Sequence, residues 1–261
     1  MLDNQRIIVL LPAYNAASTL EKTFQEIPWN VVDEVVLVDD GSSDETANIS
    51  IKLGIKTIQH HQNLGYGANQ KTCYRSALSR KAEVFVMLHP DYQYSPQLIP
   101  AIAAMVISGE FDLVLGSRIL GGTALKGGMP LYKYIGNRFL SWFENVLTGA
   151  KLSEYHTGFR AFSRKLLEEL PLANNSDDFI FDNQILIQAL HFGFRLGEIS
   201  CPTRYNADAS SINIRRSILY GFGVMACSLQ YRLQRMGLWS FKIFNPEGKL
   251  KPVIEELTSD S

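Results

Sequence analysis

Over its first 120 residues the chain repeats one pattern: a short unbroken apolar run, a polar turn, then a segment with helical spacing. The clearest runs are Ile7-Ile8-Val9-Leu10-Leu11, Val35-Val36-Leu37-Val38, Val84-Phe85-Val86-Met87-Leu88 and Leu113-Val114-Leu115, with a shorter one at 55–59. A strand that is apolar at every position, not at every second one, is buried on both faces. Helical segments at 18–27, 43–53, 65–80 and 98–107 separate these runs. Alternation of this kind predicts an α/β fold, a mostly parallel central sheet flanked by helices. Pro12 is expected to end the first strand and Gly54 to close the second helix. The second half is less regular. It reads as helices at 131–147, 182–192 and 217–236, strands at 157–163 and 195–199, and a mobile loop bracketed by Gly121-Gly122 and Gly127-Gly128. No linker separates two independent domains.

Composition excludes several classes. With 261 residues, 46% hydrophobic and 20% charged, the chain can bury a core that needs no metal or disulfide for stability. The 25 basic and 26 acidic residues leave a net charge of −1, so no nucleic-acid partner is expected. Cys73, Cys201 and Cys227 show no Cys-x-x-Cys spacing, which argues against a thiolate zinc site or a disulfide framework and for a reducing compartment. The N-terminus runs directly into a strand without the features of a secretory signal, and no run of 18 apolar residues occurs. A cytoplasmic protein without a standard membrane span is the expectation.

Ligands of open parallel sheets bind beyond the carboxyl ends of the strands. This chain places polar residues there repeatedly: Tyr14-Asn15, Asp39-Asp40, His89 with Asp91, and Ser117-Arg118. Turn chemistry alone also favours Asn and Asp at single positions, but four such ends together point to one pocket. Neither the Gly-x-Gly-x-x-Gly fingerprint nor a P-loop is present, which argues against a Rossmann dehydrogenase and a P-loop NTPase.

In order along the chain come Pro12-Ala13-Tyr14-Asn15, Val38-Asp39-Asp40-Gly41-Ser42-Ser43-Asp44, Asn63-Leu64-Gly65-Tyr66-Gly67, an Asp-containing turn, and Gly116-Ser117-Arg118. The ordered set resembles the family 2 glycosyltransferases with a GT-A, Rossmann-like fold, and most of all their dolichol-phosphate mannosyltransferase-like branch, over about residues 5–205. The resemblance implies a nucleotide-sugar donor, GDP- or UDP-linked, inversion at the anomeric carbon, and a divalent cation, Mg²⁺ or Mn²⁺. It implies that Pro12, Ala13 and Tyr14 line the base pocket, that Asn15 and Gly65 belong to the donor site, that Asp39 contacts the nucleoside and that Asp40 supports the loop. The family's metal turn is Asp-x-Asp, often with Gln two positions on; here it reads His89-Pro90-Asp91-Tyr92-Gln93. Asp91 is the leading metal candidate and Gln93 its partner. His89 is either a ligand through a neutral imidazole nitrogen, which suits Mn²⁺ better than Mg²⁺, or a structural histidine.

Arg118 is placed by the resemblance near the diphosphate or the acceptor phosphate, with a surface ion pair as the alternative. Lys133 and Arg138 are candidates for acceptor phosphate or else solvated helix charge; His156 either orients that phosphate or is structural. Asp182 is a candidate general base or a helix cap. A hydroxyl acceptor needs such a base, whereas a phosphate acceptor is already ionised at pH 7. The expected activity is therefore an inverting transfer to a polyprenyl phosphate. The alternatives are transfer to a hydroxyl of a soluble saccharide or metabolite, and a catalytically weakened nucleotide-sugar-binding protein.

The catalytic domain is expected to span 1–208 and an amphipathic helical tail 209–261. Between 212 and 246 lie Arg215, Arg216, Arg232, Arg235 and Lys242 and no acidic residue, around an uncharged run at 217–231. As a helix that run measures about 22 Å, short of a hydrocarbon core of roughly 30 Å. It reads either as an interfacial segment at the inner face of the cell membrane or as a core or homo-oligomer helix.

Overall fold

In the computed structural model, which describes residues 4–204 and 214–252, seven strands form one sheet in the order β3-β2-β1-β4-β6-β5-β7. In chain order the elements are β1 (Ile7–Ala13), α1 (Leu20–Gln25), β2 (Glu34–Asp39), α2 (Thr46–Lys52), β3 (Lys56–Gln59), α3 (Tyr66–Leu78), β4 (Val84–Met87), α4 (Ile99–Ile107) and β5 (Leu113–Ser117). They continue through α5 (Leu131–Thr148), β6 (Arg160–Ser163), α6 (Arg164–Glu169), α7 (Phe181–His191), β7 (Leu196–Ser200) and α8 (Ile214–Arg235). All strand pairs are parallel except those of β6, which runs antiparallel between β4 and β5. The expected α/β sheet is found.

The unbroken apolar runs have the predicted consequence. Ile7, Val9, Leu11 and Ala13 enter one core cluster with Leu20 of α1 and Ile99 and Ile102 of α4. Ile8 and Leu10 enter a second with Tyr74 of α3, Leu166 of α6 and Ile185 of α7. Side chains alternate faces along a strand, so β1 feeds both layers and the sheet is covered on both sides.

Pro12 does not end β1; it sits inside it, paired with Val38 of β2. Alternation explains why it is tolerated. Leu10 turns its carbonyl to the β4 side, where it accepts from Leu88 N at 3.0 Å. Pro12 faces that same side beyond the last β1–β4 pair, Leu10 with Met87, so its missing N–H deprives no partner.

The strand expected at 157–163 is shorter, Arg160–Ser163, although Phe159 O still accepts from Gly116 N of β5 at 2.8 Å. Since β6 is antiparallel, its N-terminal end meets the C-terminal ends of β4 and β5. Strand order reverses between β1 and β4, which opens a crevice at that edge.

Helix α8 packs against α5 and α7. Val224, Cys227, Ser228 and Tyr231 of α8 are buried, whereas Ile218, Leu219, Phe222 and Leu229 are at least half exposed. One face of the helix packs on the domain and the other faces outward. Its continuation packs too, Ile243 and Phe244 joining Cys227 and Tyr231 on Ile187 of α7. Residues 205–213 and 253–261 of the expected tail lie outside the described residues.

Candidate active site

The expected donor side is built from the turns after β1 and β2, which lock to each other. Asn15 takes a left-handed backbone (φ 50°), and its Oδ1 accepts from Ser43 N at 2.9 Å while its own N–H donates to Ser42 Oγ at 2.8 Å. Asp39 is fully buried and accepts from the backbone N–H and hydroxyl of Ser42. Gly41 is required here: its φ is +69° and a Cβ would lie 2.7 Å from the Gln62 carbonyl carbon. Asp40 accepts from His60 Nδ1 at 2.7 Å, Leu64 N at 2.9 Å and Gly65 N at 3.0 Å, so it holds the loop that leads into α3. Asn69 on α3 donates to the carbonyls of Ala13 and Val38, tying that helix to both strand ends. Of the expected base-pocket residues, Pro12 and Ala13 are buried in the sheet and Tyr14 is exposed at the rim. A cleft of about 390 Å³ lined by Gly41, Ser42, Gln59, His60 and His61 lies on this side.

A second cavity, of about 290 Å³, opens over the ends of β4 and β5 and against α5 and α8. It brings together His89, Asp91, Gln93, Arg118, Lys133, His156 and Asp182, residues spread over 94 positions of sequence. Arg138 is not on its wall. Lys133, Gly136, Asn137 and Leu140 form the inward face of α5; Arg138, one residue on from Asn137, is turned outward and donates to Ser153 O at 2.9 Å.

In the metal turn, Asp91 accepts from Gln93 N at 3.1 Å and from Gln93 Nε2 at 2.9 Å. Gln93 thus orients the carboxylate. His89 is stacked parallel on Tyr66, centroids 5.5 Å apart, with its Nε2 3.1 Å from the Tyr66 hydroxyl. Gly158 backs it, where a Cβ would come within 2.5 Å of the imidazole. Burial lowers the His89 pKa against the pull of the Asp91 and Asp182 charges, so the ring is neutral at pH 7. Among the described residues no group of three His, Cys, Asp or Glu side chains is placed to hold a metal. One carboxylate at a cavity wall nonetheless fits Mg²⁺ or Mn²⁺, which take one or two protein carboxylates and complete their shell with water and substrate phosphate.

Tyr66 is the residue that sequence reasoning missed within a motif it had noticed. It is sandwiched between His89 and Phe179 (4.8 Å) and donates its hydroxyl to Asp182 Oδ2 at 2.5 Å. Asp182 Oδ1 accepts from Gln70 Nε2 at 3.0 Å and lies 3.6 Å from the Arg160 guanidinium. Both oxygens of Asp182 are therefore engaged, and its side chain does not cap α7.

Arg118 forms a two-pronged contact with Glu154: its backbone N–H donates to Oε2 at 2.7 Å and its Nε to Oε1 at 2.8 Å. Burial pushes the Glu154 carboxyl up, but Arg118 and Asn137 outweigh it and hold the group below the ordinary carboxylate range. Glu154 is thus an anion that partly balances Arg118. Lys133 stands on the cavity wall, its pKa lowered by burial and by the neighbouring Arg118 charge.

These features define a class, a nucleotide-sugar-dependent glycosyltransferase with the GT-A fold, once the comparisons are added. The chain belongs to glycosyl transferase family 2, whose model matches residues 8–171. It is 28% identical over 216 residues to UDP-N-acetylglucosamine–dolichyl-phosphate N-acetylglucosaminyltransferase of Methanococcus voltae, spanning 76% of this chain and 86% of that protein. It is 27% identical over 210 residues to dolichyl-phosphate hexose transferase of Haloferax volcanii, spanning 79% and 86%. Glucosyl-3-phosphoglycerate synthase from Mycobacterium tuberculosis, solved with phosphoglyceric acid, superposes with a TM-score of 0.68 at 22% identity, covering 91% of this chain and 82% of that one. The same synthase has been solved with Mg²⁺ and UDP, at a TM-score of 0.66.

The His156 environment gives a pH dependence. Burial lowers its pKa from 6.5 to about 4, against the raising effect of Glu154. In the unfolded chain the ring takes a proton near pH 6.5, and in the folded chain only near 4. The unfolded state thus binds more protons between those values, and stability falls as pH drops through that window. Urea unfolding of His156→Gln should show a smaller loss between pH 7 and 4.5 than the parent; identical losses would contradict a buried neutral ring.

Proposed function

We propose that the protein transfers a sugar, with inversion, from a UDP- or GDP-linked donor to the phosphate of a polyprenyl phosphate. The observation that carries this reading is the state of Asp182. The carboxylate that would serve a hydroxyl acceptor as base already accepts from Tyr66 and Gln70 and pairs with Arg160. A phosphate monoester brings its own anionic nucleophile and needs no such base. The named activities of the Methanococcus and Haloferax relatives support the same acceptor class.

The donor nucleoside would lie over the β1 and β2 turns, with Asp39 and the rim residues Tyr14 and Asn15 beside it. Asp91, oriented by Gln93, would hold a divalent cation together with the donor diphosphate. The ion, when bound, neutralises charge that grows on the leaving nucleoside diphosphate. Lys133 and Arg118 supply fixed positive charge to the same cavity, in geometry set before substrate arrives. Tyr66 and Gly158 keep His89 flat against the wall, leaving room for the sugar. The nucleophilic phosphate oxygen would approach the anomeric carbon from the α5–α8 side, opposite the leaving group.

That side also suits a lipid. Leu131, Ile135, Phe139, Trp142 and Val146 of α5, spaced three or four residues apart, are each more than half exposed. Leu219 and Phe222 extend the apolar surface on α8, and Arg138, Arg215 and Arg216 are exposed beside them. No helix among the described residues is long and apolar enough to cross a membrane. An apolar face with basic flanks binds at an anionic lipid surface instead, which would place the protein peripherally at the cytoplasmic membrane face.

Two outcomes test this reading. Asp91→Ala should keep the fold, lower transfer at least 100-fold, and lose the gain in UDP affinity that Mn²⁺ gives the parent in calorimetry; full transfer in excess EDTA would contradict the assignment. The parent should co-sediment with anionic liposomes at low salt and be released at high salt. Changing Arg215, Arg216, Arg232 and Arg235 to Ala should weaken that binding. A protein that stays in the supernatant and instead dimerises through this face would overturn the membrane placement.

A further inference from the structure

Behind the acceptor side of the cavity lies a buried polar chain that the proposed chemistry leaves unused. Glu144 of α5 is fully buried, and its Oε1 accepts from Asn183 Nδ2. Its Oε2 lies 3.3 Å from His156 Nε2, an approach just off hydrogen-bonding geometry, and neither atom has a hydrogen-bond partner among the described residues. On the other side of the ring, His156 Nδ1 is 2.9 Å from the Tyr220 hydroxyl. The two rings meet edge to face at 5.6 Å and 81°. His156 and Tyr220 both line the cavity, together with Lys133 and Asn137. The chain thus runs from α5, through the loop before β6, to α8, and ends at the site.

Its polarity follows from protonation. Burial pushes the Glu144 carboxyl well above the ordinary range, toward the protonated acid, and lowers His156 to about 4, so the ring is neutral at pH 7. With Oε1 accepting from Asn183, the acid proton belongs on Oε2, facing Nε2. An imidazole whose Nε2 faces an acid proton is favoured as the tautomer with its hydrogen on Nδ1, placed to donate to the Tyr220 oxygen. The phenolic hydrogen is then left to point elsewhere, and no other described residue bonds to that hydroxyl. The cavity is the direction open to it.

We propose that Tyr220, carried by the C-terminal helix α8, contacts the acceptor, its hydroxyl donating to the acceptor phosphate, and that His156 and Glu144 are positioning residues that aim it. A neutral donor aimed in advance adds an anion contact without adding charge that a neighbouring carboxylate could neutralise, as Glu154 does for Arg118. The inference rests on the phosphate acceptor proposed above. It makes α8 part of the active site as well as part of the outer face.

The test is calorimetric titration of the UDP-bound protein with citronellyl phosphate, a short soluble isoprenyl phosphate. Tyr220→Phe keeps the ring against His156 and removes only the hydroxyl. It should weaken citronellyl phosphate binding about tenfold, leave UDP affinity unchanged, and raise the acceptor KM more than it lowers kcat. Glu144→Gln, which can still accept from Asn183 and donate to His156, should bind like the parent, whereas Glu144→Leu should fall to the level of Tyr220→Phe. Equal binding by the parent and Tyr220→Phe, within twofold, would overturn this inference and leave the acceptor class standing. A parent that does not bind citronellyl phosphate at all would overturn both.

Discussion

The site depends on a buried charge. Arg160, the first residue of the antiparallel strand β6, is fully buried. A guanidinium in that position is tolerable only if its donors are paired. It donates to Thr157 O at 2.7 Å, Asp182 O at 2.7 Å and Tyr155 O at 3.1 Å, and it faces the Asp182 carboxylate. Those bonds draw the start of α7 and the loop before β6 to one point under the cavity floor. Asp182, so held, receives the Tyr66 hydroxyl, and Tyr66 supports His89 beside the metal turn. The wall that would carry the reacting sugar is therefore positioned from behind by one ion pair.

The same network divides roles among the acidic residues. Asp40, Glu154 and Asp182 are engaged by protein donors, so they shape loops and balance charge. Burial raises the Glu144 carboxyl well above the ordinary range. Asp91 stands at the cavity wall with a side chain oriented by its own turn. Asp91 is the carboxylate proposed to meet a cation, a role that suits diphosphate departure better than acid–base hydrolysis.

The parallel half of the fold was legible because its signal is local. Strands buried on both faces must be apolar throughout, and their polar ends mark the ligand edge, as at Asp39, Asp91 and Arg118. Tyr14, Asn15 and Asp40 could be placed on that edge for the same reason. The antiparallel insertion of β6 was not legible: its partners in β4 and β5 are fixed by tertiary pairing and by Arg160, whose contact with Asp182 spans 22 positions. The bond from Tyr66 to Asp182 spans 116. No local pattern separates a buried glutamate such as Glu144 or Glu154 from a solvated one, since the pairing residues lie on other elements. Arg138 and Lys133 look alike in sequence; the helical rotation that turns one inward and the other outward depends on the phase of α5 against the domain.

The central claim is that an anionic phosphate attacks the anomeric carbon directly, with no protein base and no covalent intermediate. The most direct measurement is the anomeric configuration of the product formed from a nucleotide sugar of known configuration and citronellyl phosphate, read by the one-bond carbon–proton coupling at the anomeric carbon in NMR, with proton–phosphorus coupling reporting the linkage. The account predicts a sugar–phosphate diester of opposite configuration to the donor. A product with retained configuration, or transfer to the hydroxyl of a saccharide but not to citronellyl phosphate, would contradict it.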